Sequence, residues 1–505
     1  MDNPSDVLPN PVAVATESNT RKLVAKNALY LGGAQALAMP LSVLTNAVSA
    51  HYLGPSAFGY AYLATTMCTF GFLAVGWGQD AVLPAQVARN HALAGVMLGS
   101  SLAWRVATSF VVYGVLALAC SFLNYPAEFQ WALGLTALLI ALNYLVAACK
   151  DTIRGLERTD IPAYVHVGQQ LLTAVLVIAV VMLGGLLRAS LAAVAAASAI
   201  AFAATWTRLR PVGVGALMVR RSAIKTLLVE GIPFVLFNLV MELQPNVDAL
   251  FLSKMAPVEV MGWYAVSRRL VGALLLPSTA LIGALYPTLC RLRATDQQGF
   301  NQTTNAAIKT IVLAAAPIAI GTALFPEIGV ALFSRESFRP AEDNLRIFSV
   351  LIFLVYLTMP IGSSVLAAGR QRTWVAVQCL CVVISLVVDP WLVPIFQQRY
   401  NNGGLGLCIA AVLSETVMVS FGIALLPAGV FDRKLRRTIL LTLVSGSAMI
   451  LVAFVTRPLG SVIGASLAVA TYAGALRMTG AIEEHQMAMV RSAVMGFLRR
   501  FRGKG

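Results

Sequence analysis

Fourteen apolar runs of about twenty residues or more, each long enough to cross the ~30 Å hydrocarbon core of a bilayer as a helix, dominate this chain. They lie at 28–50, 60–79, 94–121, 129–149, 162–184, 186–206, 229–252, 262–290, 305–328, 343–367, 374–396, 404–427, 438–456 and 458–477. Within that core every backbone N–H and C=O must be paired inside the protein, which leaves helices or closed barrels. Continuous runs of this length, without alternation of polar and apolar residues, are helices. The expected fold is therefore all-α: a polytopic membrane protein with about fourteen transmembrane helices. Hydrophobic residues at 58% and charged residues at 12% agree with it.

The basic residues orient these spans. Of 37 Lys and Arg, 26 fall in the N-terminal tail, the even-numbered connections and the C-terminal segment. The odd-numbered connections hold six: Arg188, Lys254, Arg335, Arg339, Arg399 and Arg457. Loops rich in Lys and Arg stay in the cytoplasm, so both termini are expected there, which requires an even number of spans. The net charge of +15 sits in short loops between apolar runs, a placement that argues against a nucleic-acid partner. Residues 1–20 are polar and acidic, unlike a cleaved signal peptide, and 1–27 reads as a disordered cytoplasmic tail. At the other end, Val490, Val494, Phe497, Leu498 and Phe501 recur at helical spacing beside Arg491, Arg499, Arg500 and Arg502. This is either a basic amphipathic helix on an anionic membrane surface or a solvated tail.

A partly amphipathic connection at 207–228 leaves six spans before it and eight after. Similar segments follow spans 1 and 7, FGYAY from Phe58 and MGWYA from Met261. A G-x-x-R-T pattern follows spans 4 and 10: Gly155, Arg158 and Thr159, then Gly369, Arg372 and Thr373. The offsets, 203 and 214 residues, nearly agree. Six spans per repeat is an even number, so the halves share one orientation, in a parallel pseudo-repeat of the kind found in transporters. The expected organisation is a tail at 1–27, an N-lobe at 28–206, a linker at 207–228, a C-lobe at 229–427, two extra helices at 428–477 and a basic tail at 478–505.

The segments YLGPSAFGY from Tyr52, VDALFL from Val247 and GWYAVSRRL from Gly262 resemble the signature segments of polysaccharide transporter proteins. These are Wzx-type lipid-linked oligosaccharide flippases of the multidrug/oligosaccharidyl-lipid/polysaccharide superfamily. The resemblance covers roughly residues 20–480 in layout. It implies a two-lobe alternating-access carrier in the bacterial inner membrane, moving an undecaprenyl-pyrophosphate-linked glycan to the periplasmic face. It also implies contact with membrane lipid and with polysaccharide polymerase and export machinery. Lipid II flippases of the MurJ type are similar and also have fourteen helices.

Charges at membrane depth are costly and normally face a cavity or a partner. Glu242 and Asp248 lie in span 7, and Arg268 and Arg269 in span 8. Asp248 and Arg268 fall at similar depth and suit an ion pair. Arg269 points about 100° away around its helix, leaving one guanidinium to bind phosphate through its bidentate fork. Arg105, near the middle of span 3, is the other candidate for an anionic substrate, with a partner acid on a neighbouring helix as the alternative. Asn246 and Asn238 share a helix face with Glu242, and Asn246 joins the substrate-binding candidates. Glu242, Asp248, Asp389 and Glu415 are candidates for ion coupling, and Glu230 is expected to be interfacial. Pro245 is expected to kink a gating helix, whereas Gly95-x-x-x-Gly99 reads as helix packing.

Seven cysteines without a C-x-x-C pair or a matching histidine cluster suggest neither disulfides nor a metal site. No G-x-x-x-x-G-K-[ST] is present, the outer connections are short, and the four histidines are scattered. No enzymatic activity and no cofactor are expected. Beside glycan flipping stand three other readings: a lipid II flippase, a cation-coupled multidrug extruder, and a non-transporting scaffold for envelope assembly.

Overall fold

The computed structural model describes residues 11–333, 336–427 and 429–480, through which run sixteen α-helices, with no strand among the described residues. They are α1 Pro11–Gly76, α2 Gln79–Arg89, α3 Ala94–Phe122, α4 Ala127–Gly155, α5 Asp160–Met182, α6 Leu187–Leu209, α7 Arg221–Met255 and α8 Val258–Leu274. Then follow α9 Leu276–Thr295, α10 Gln297–Leu324, α11 Pro326–Ala331, α12 Ala341–Ala367, α13 Gln371–Tyr400, α14 Gly404–Leu425, α15 Arg433–Thr456 and α16 Ser461–Met478. The first helix starts at Pro11, well inside the segment expected to be a disordered tail. Hydropathy marks only the part of a helix at membrane depth, and backbone hydrogen bonds carry the helix beyond it. The amphipathic reading of the C-terminal tail lies outside the described residues after Gly480.

Among the described residues, twelve helices are long and apolar enough to span a membrane, or thirteen with α8 and α9 counted as one span. One of the twelve is the stretch Gly32–Arg89, whose 58 residues would extend ~87 Å at ~1.5 Å per residue, far beyond one ~30 Å core. It divides at Gly54, where φ is 76° and ψ 175°, a backbone conformation that glycine adopts without strain. Pro55 then opens the second half with a φ suited to a first helical turn. Counting the halves separately restores fourteen spans. Span 8, expected as one run at 262–290, bends by 41° between α8 and α9. Pro277, in the first turn of α9, lacks the N–H that would continue the α8 ladder.

The chain forms two compact units, Met1–Leu250 and Phe251–Gly505. Inside the first, α3 packs on α4, α4 on α6 and α5 on α6; inside the second, α10 packs on α12, α12 on α14 and α13 on α14. These are the third-on-fourth, fourth-on-sixth and fifth-on-sixth pairings of each six-span set, so the internal repeat is present in the packing. The loops that suggested it align differently. Glu157 (φ 62°) and Gly369 (φ 77°) occupy equivalent left-handed caps of α4 and α12. The next N–H reaches back five residues in both, from Arg158 to the Ile153 carbonyl and from Arg370 to that of Val365. The caps therefore match Arg158 with Arg370, two residues off the G-x-x-R-T register.

Helices α15 and α16 pair with one another and add to the second unit, α15 against α10. Phe325, Met449, Ala468 and Tyr472 form their shared core, and the Tyr472 hydroxyl donates to the Leu313 carbonyl at 2.9 Å.

The expected C-lobe boundary at 229 is displaced: the linker and α7 as far as Leu250 belong to the first unit. The cause is local packing. A Cβ on Gly95 would come within 2.5 Å of the Ala216 carbonyl oxygen, and one on Gly99 within 2.7 Å of the Met218 carbonyl oxygen. The Arg220 N–H donates to Ser100 Oγ at 3.1 Å. The G-x-x-x-G face of α3 thus receives the backbone of the linker rather than another helix. Trp77 Nε1 donates to the Leu228 carbonyl at 3.0 Å, and Gln86 Nε2 reaches both oxygens of Glu230 at 2.8 and 2.7 Å, which fastens the start of α7.

Candidate functional site

Among the described residues, the candidate side chains gather at two polar centres, one in each unit. The first is built around Arg105 on α3, a guanidinium with 1% exposure. Its Nε donates to Gln79 Oε1 at 3.4 Å, and its Nη1 donates to the Tyr144 carbonyl. Its Cζ lies 5.8 Å from the centroid of the Tyr144 ring, a distance at which the ring face attracts a cation. Ser101, one turn before Arg105, donates to the same Gln79 oxygen at 2.6 Å.

Gln79 and Asp80 reach this centre because α1 stops sharply. Trp77 (φ 45°) and Gly78 (φ 66°) are consecutive left-handed residues, which turn the chain from α1 into α2. A Cβ on Gly78 would lie 2.6 Å from the Gly231 carbonyl oxygen, so the turn needs glycine to pass close under α7. A cavity of about 180 Å³ results, lined among others by Trp77, Asp80, Arg105, Tyr144, Asp151 and Asn238. Asp151 Oδ1 accepts from Arg154 Nη1 at 3.2 Å. Arg105 therefore does face a cavity, with acids from α2 and α4 around it.

One helical turn beyond Asn238, Glu242 and Asn246 interact as their four-residue spacing implies. Asn246 Nδ2 donates to the Glu242 carbonyl at 2.9 Å and to Glu242 Oε2 at 3.0 Å. Asp248 is buried in the same unit. The helix is assigned without a break through position 245, and the Pro245 side chain lies outside the described ones.

The second centre lies in the second unit. Arg268 and Arg269 on α8 are both half-buried, and Arg268 Cζ lies 5.9 Å from the Phe348 ring centroid. Buried Glu415 on α14 has Thr358 of α12 and Arg268 among its electrostatic neighbours. Asp389 on α13 is fully buried. One turn away, Ser385 Oγ lies 3.3 Å from Ser414 Oγ, the residue before Glu415. The arrangement sets a cation beside one of the coupling candidates in a low-dielectric setting, where a charge interaction is stronger than in water.

Residue-level reading missed Gln79, Asp80, Tyr144, Asp151 and Thr358. Asp80 and Asp151 sit at the ends of apolar runs, where hydropathy treats an acid as loop. The available signal was the pair of acids flanking a membrane-depth arginine on successive spans. Among the described residues no group of three or more His, Cys, Asp or Glu forms a metal-binding cluster.

A profile of the family described as polysaccharide biosynthesis protein matches residues 24–293. No curated protein matches the chain by sequence. Among solved structures, the lipid II flippase MurJ in an inward closed conformation aligns with a TM-score of 0.68 at 14% identity, covering 89% of this chain and 98% of that one. An inward-facing multidrug resistance MATE family transporter of the MOP superfamily aligns with a TM-score of 0.59 at 15% identity, covering 76% and 94%. A MOP superfamily transporter from Pyrococcus furiosus aligns with a TM-score of 0.55 at 15% identity, covering 79% and 95%. At these identities the likeness is one of fold.

Proposed function

The chain belongs to the polysaccharide biosynthesis protein family and has the fold of MOP superfamily transporters; from that premise we propose that it flips a polyprenyl-pyrophosphate-linked oligosaccharide from the cytoplasmic to the periplasmic face of a bacterial inner membrane. The family match over residues 24–293 carries the reading. The alignment with MurJ over 89% of this chain is a likeness of fold that accords with this reading.

In this reading Arg268, Arg269 and Arg105 provide positive charge for the pyrophosphate, with Asn246 as a neutral contact. Glu242, Asp248, Asp389 and Glu415 supply ion coupling, and α7 around Pro245 takes part in gating. An inside-negative potential favours outward movement of the anionic head by ~2.3 kcal/mol per charge per 100 mV. The cycle needs no bond-making step, so the protein works as a carrier and not as an enzyme. Polymerase and export machinery would receive the product.

Deletion tests the proposal against its main rival. The expected result is loss of surface polymer, accumulation of the lipid-linked unit and unchanged drug tolerance. Normal polymer together with heightened drug sensitivity would replace it with multidrug extrusion. Purified protein that moves no labelled lipid-linked sugar in liposomes under any gradient would leave the scaffold reading.

A further inference from the structure

Asp151, which lines the cavity around Arg105, has a buried oxygen, Oδ2, with no hydrogen-bond partner among the described residues, and the same holds for Gln79 Nε2, on the side chain that holds Arg105. Asp151 is 4% exposed and Gln79 is fully buried. Leaving such groups unsatisfied costs about 1–3 kcal/mol each, and more for a charged one. The cavity offers the remedy, since 180 Å³ admits about six waters at ~30 Å³ each. Asp80, also on the wall, is exposed, which gives that space a polar mouth.

We propose that Asp151 is a proton-binding group of the first unit, exchanging its proton with water at the Asp80 mouth while Arg105 serves as the fixed counter-charge. The Oδ2–H bond forms with a proton from a hydronium ion or water in the cavity and breaks by returning it there. No electron transfer is involved. Arg105 stays charged and is held in place by Gln79 and the Tyr144 carbonyl, so it cannot take the proton in place of Asp151. A metal cation is the weaker occupant, because the guanidinium lines the same small space.

The charged and titratable groups that face Asp151 are identifiable. From α2 comes Asp80, from α3 Arg105, and from α4 itself Arg154, Lys150 and Cys149, with Tyr144 of α4 on the same cavity wall. From α7 the cavity receives only the neutral Asn238. Protonation removes one negative charge from beside Arg105. The cavity then becomes more positive and more favourable to an anionic group, which would tie proton uptake to substrate binding. That coupling rests on the proposed function, whereas proton binding itself does not.

Infrared difference spectroscopy on the full chain in nanodiscs, titrated with acid, measures the C=O stretch of a protonated carboxyl. A band is expected that Asp151→Asn removes. Arg105→Gln should shift its appearance to higher pH and Asp80→Asn to lower pH, each by roughly one unit or more. If Asp151→Asn fails to fold, Asp151→Glu must still change the band frequency. A band that survives Asp151→Asn, ignores Asp151→Glu, or moves in the same direction in both neighbouring variants would overturn the proposal. Failure of lipid transport in liposomes with the band intact would count against the proposed function alone.

Discussion

The guanidinium of Arg105 donates a hydrogen bond to the backbone carbonyl of Tyr144, joining α3 to α4 at the wall of the cavity that Asp80 and Asp151 share. A carbonyl within a helix is normally satisfied along its own axis, so an arginine that bridges to one is held by the fold as well as by charge. Removing it should therefore affect stability and transport separately.

Arg105→Ala removes the buried guanidinium from Gln79 Oε1 and the Tyr144 carbonyl, while Asp151 keeps Arg154. Hydrogen bonds made by a charged group contribute about 1.5–3 kcal/mol each, so a clear fall in the thermal unfolding midpoint in detergent is expected. Arg105→Lys should recover part of it, because an ammonium can satisfy one acceptor but lacks the planar fork.

Export assays examine the arginines as substrate ligands. At protein levels matched to wild type, Arg105→Ala and Arg269→Ala are each expected to reduce delivery of lipid-linked oligosaccharide about tenfold or more, the loss of about 1.4 kcal/mol of binding. Full polysaccharide export by both variants would remove the cationic-site assignment.

Gly95→Val pushes a side chain into the Ala216 carbonyl. Overpacking of this kind costs about 1–3 kcal/mol, and here the linker rather than a helix is displaced. Faster proteolysis within 210–220, with the remainder of the chain still resistant, is the expected signature. Ser100→Ala should show a milder version, since it loses only the contact to the Arg220 N–H.

Glu415→Gln is expected to preserve the fold, since the amide is nearly isosteric, and to abolish the response of transport to an imposed ion gradient. Transport in liposomes with and without the gradient measures this. An undiminished gradient response would take Glu415 out of the coupling set.

Asp432 caps α15, accepting from the Leu435 N–H at 2.6 Å and from Asn305 Nδ2 at 3.1 Å. The Leu435 bond, the largest influence, holds its carboxyl below the ordinary carboxylate range, and Asn305, Lys309 and Lys434 add to it. A lowered folded value means that the stabilisation is complete above the unfolded pKa of about 3.9 and is lost as pH falls through the folded value. Unfolding measured from neutral pH downward should show Asp432→Asn less stable at pH 7, with the difference closing in acid.

Hydropathy and charge placement alone determined the all-α class and the fourteen spans. Crossing a bilayer imposes requirements of length and backbone pairing that any single run must meet by itself. The Glu242–Asn246 contact was equally legible, because four-residue spacing on one helix places its partners without help from the rest of the chain. Tertiary structure decided the remainder. Gly95 and Gly99 look the same in sequence whether a helix or a strap lies on them, and only the fold shows the linker there. Asp80 and Asp151 stand at the edges of their runs, 71 residues apart, and only the turn at Trp77–Gly78 and the packing of α2 on α4 bring them to the same cavity as Arg105. Local periodicity determines which face of a helix is apolar. It carries no information about which other helix supplies the charge opposite a buried arginine, since that depends on contacts between segments far apart in the chain.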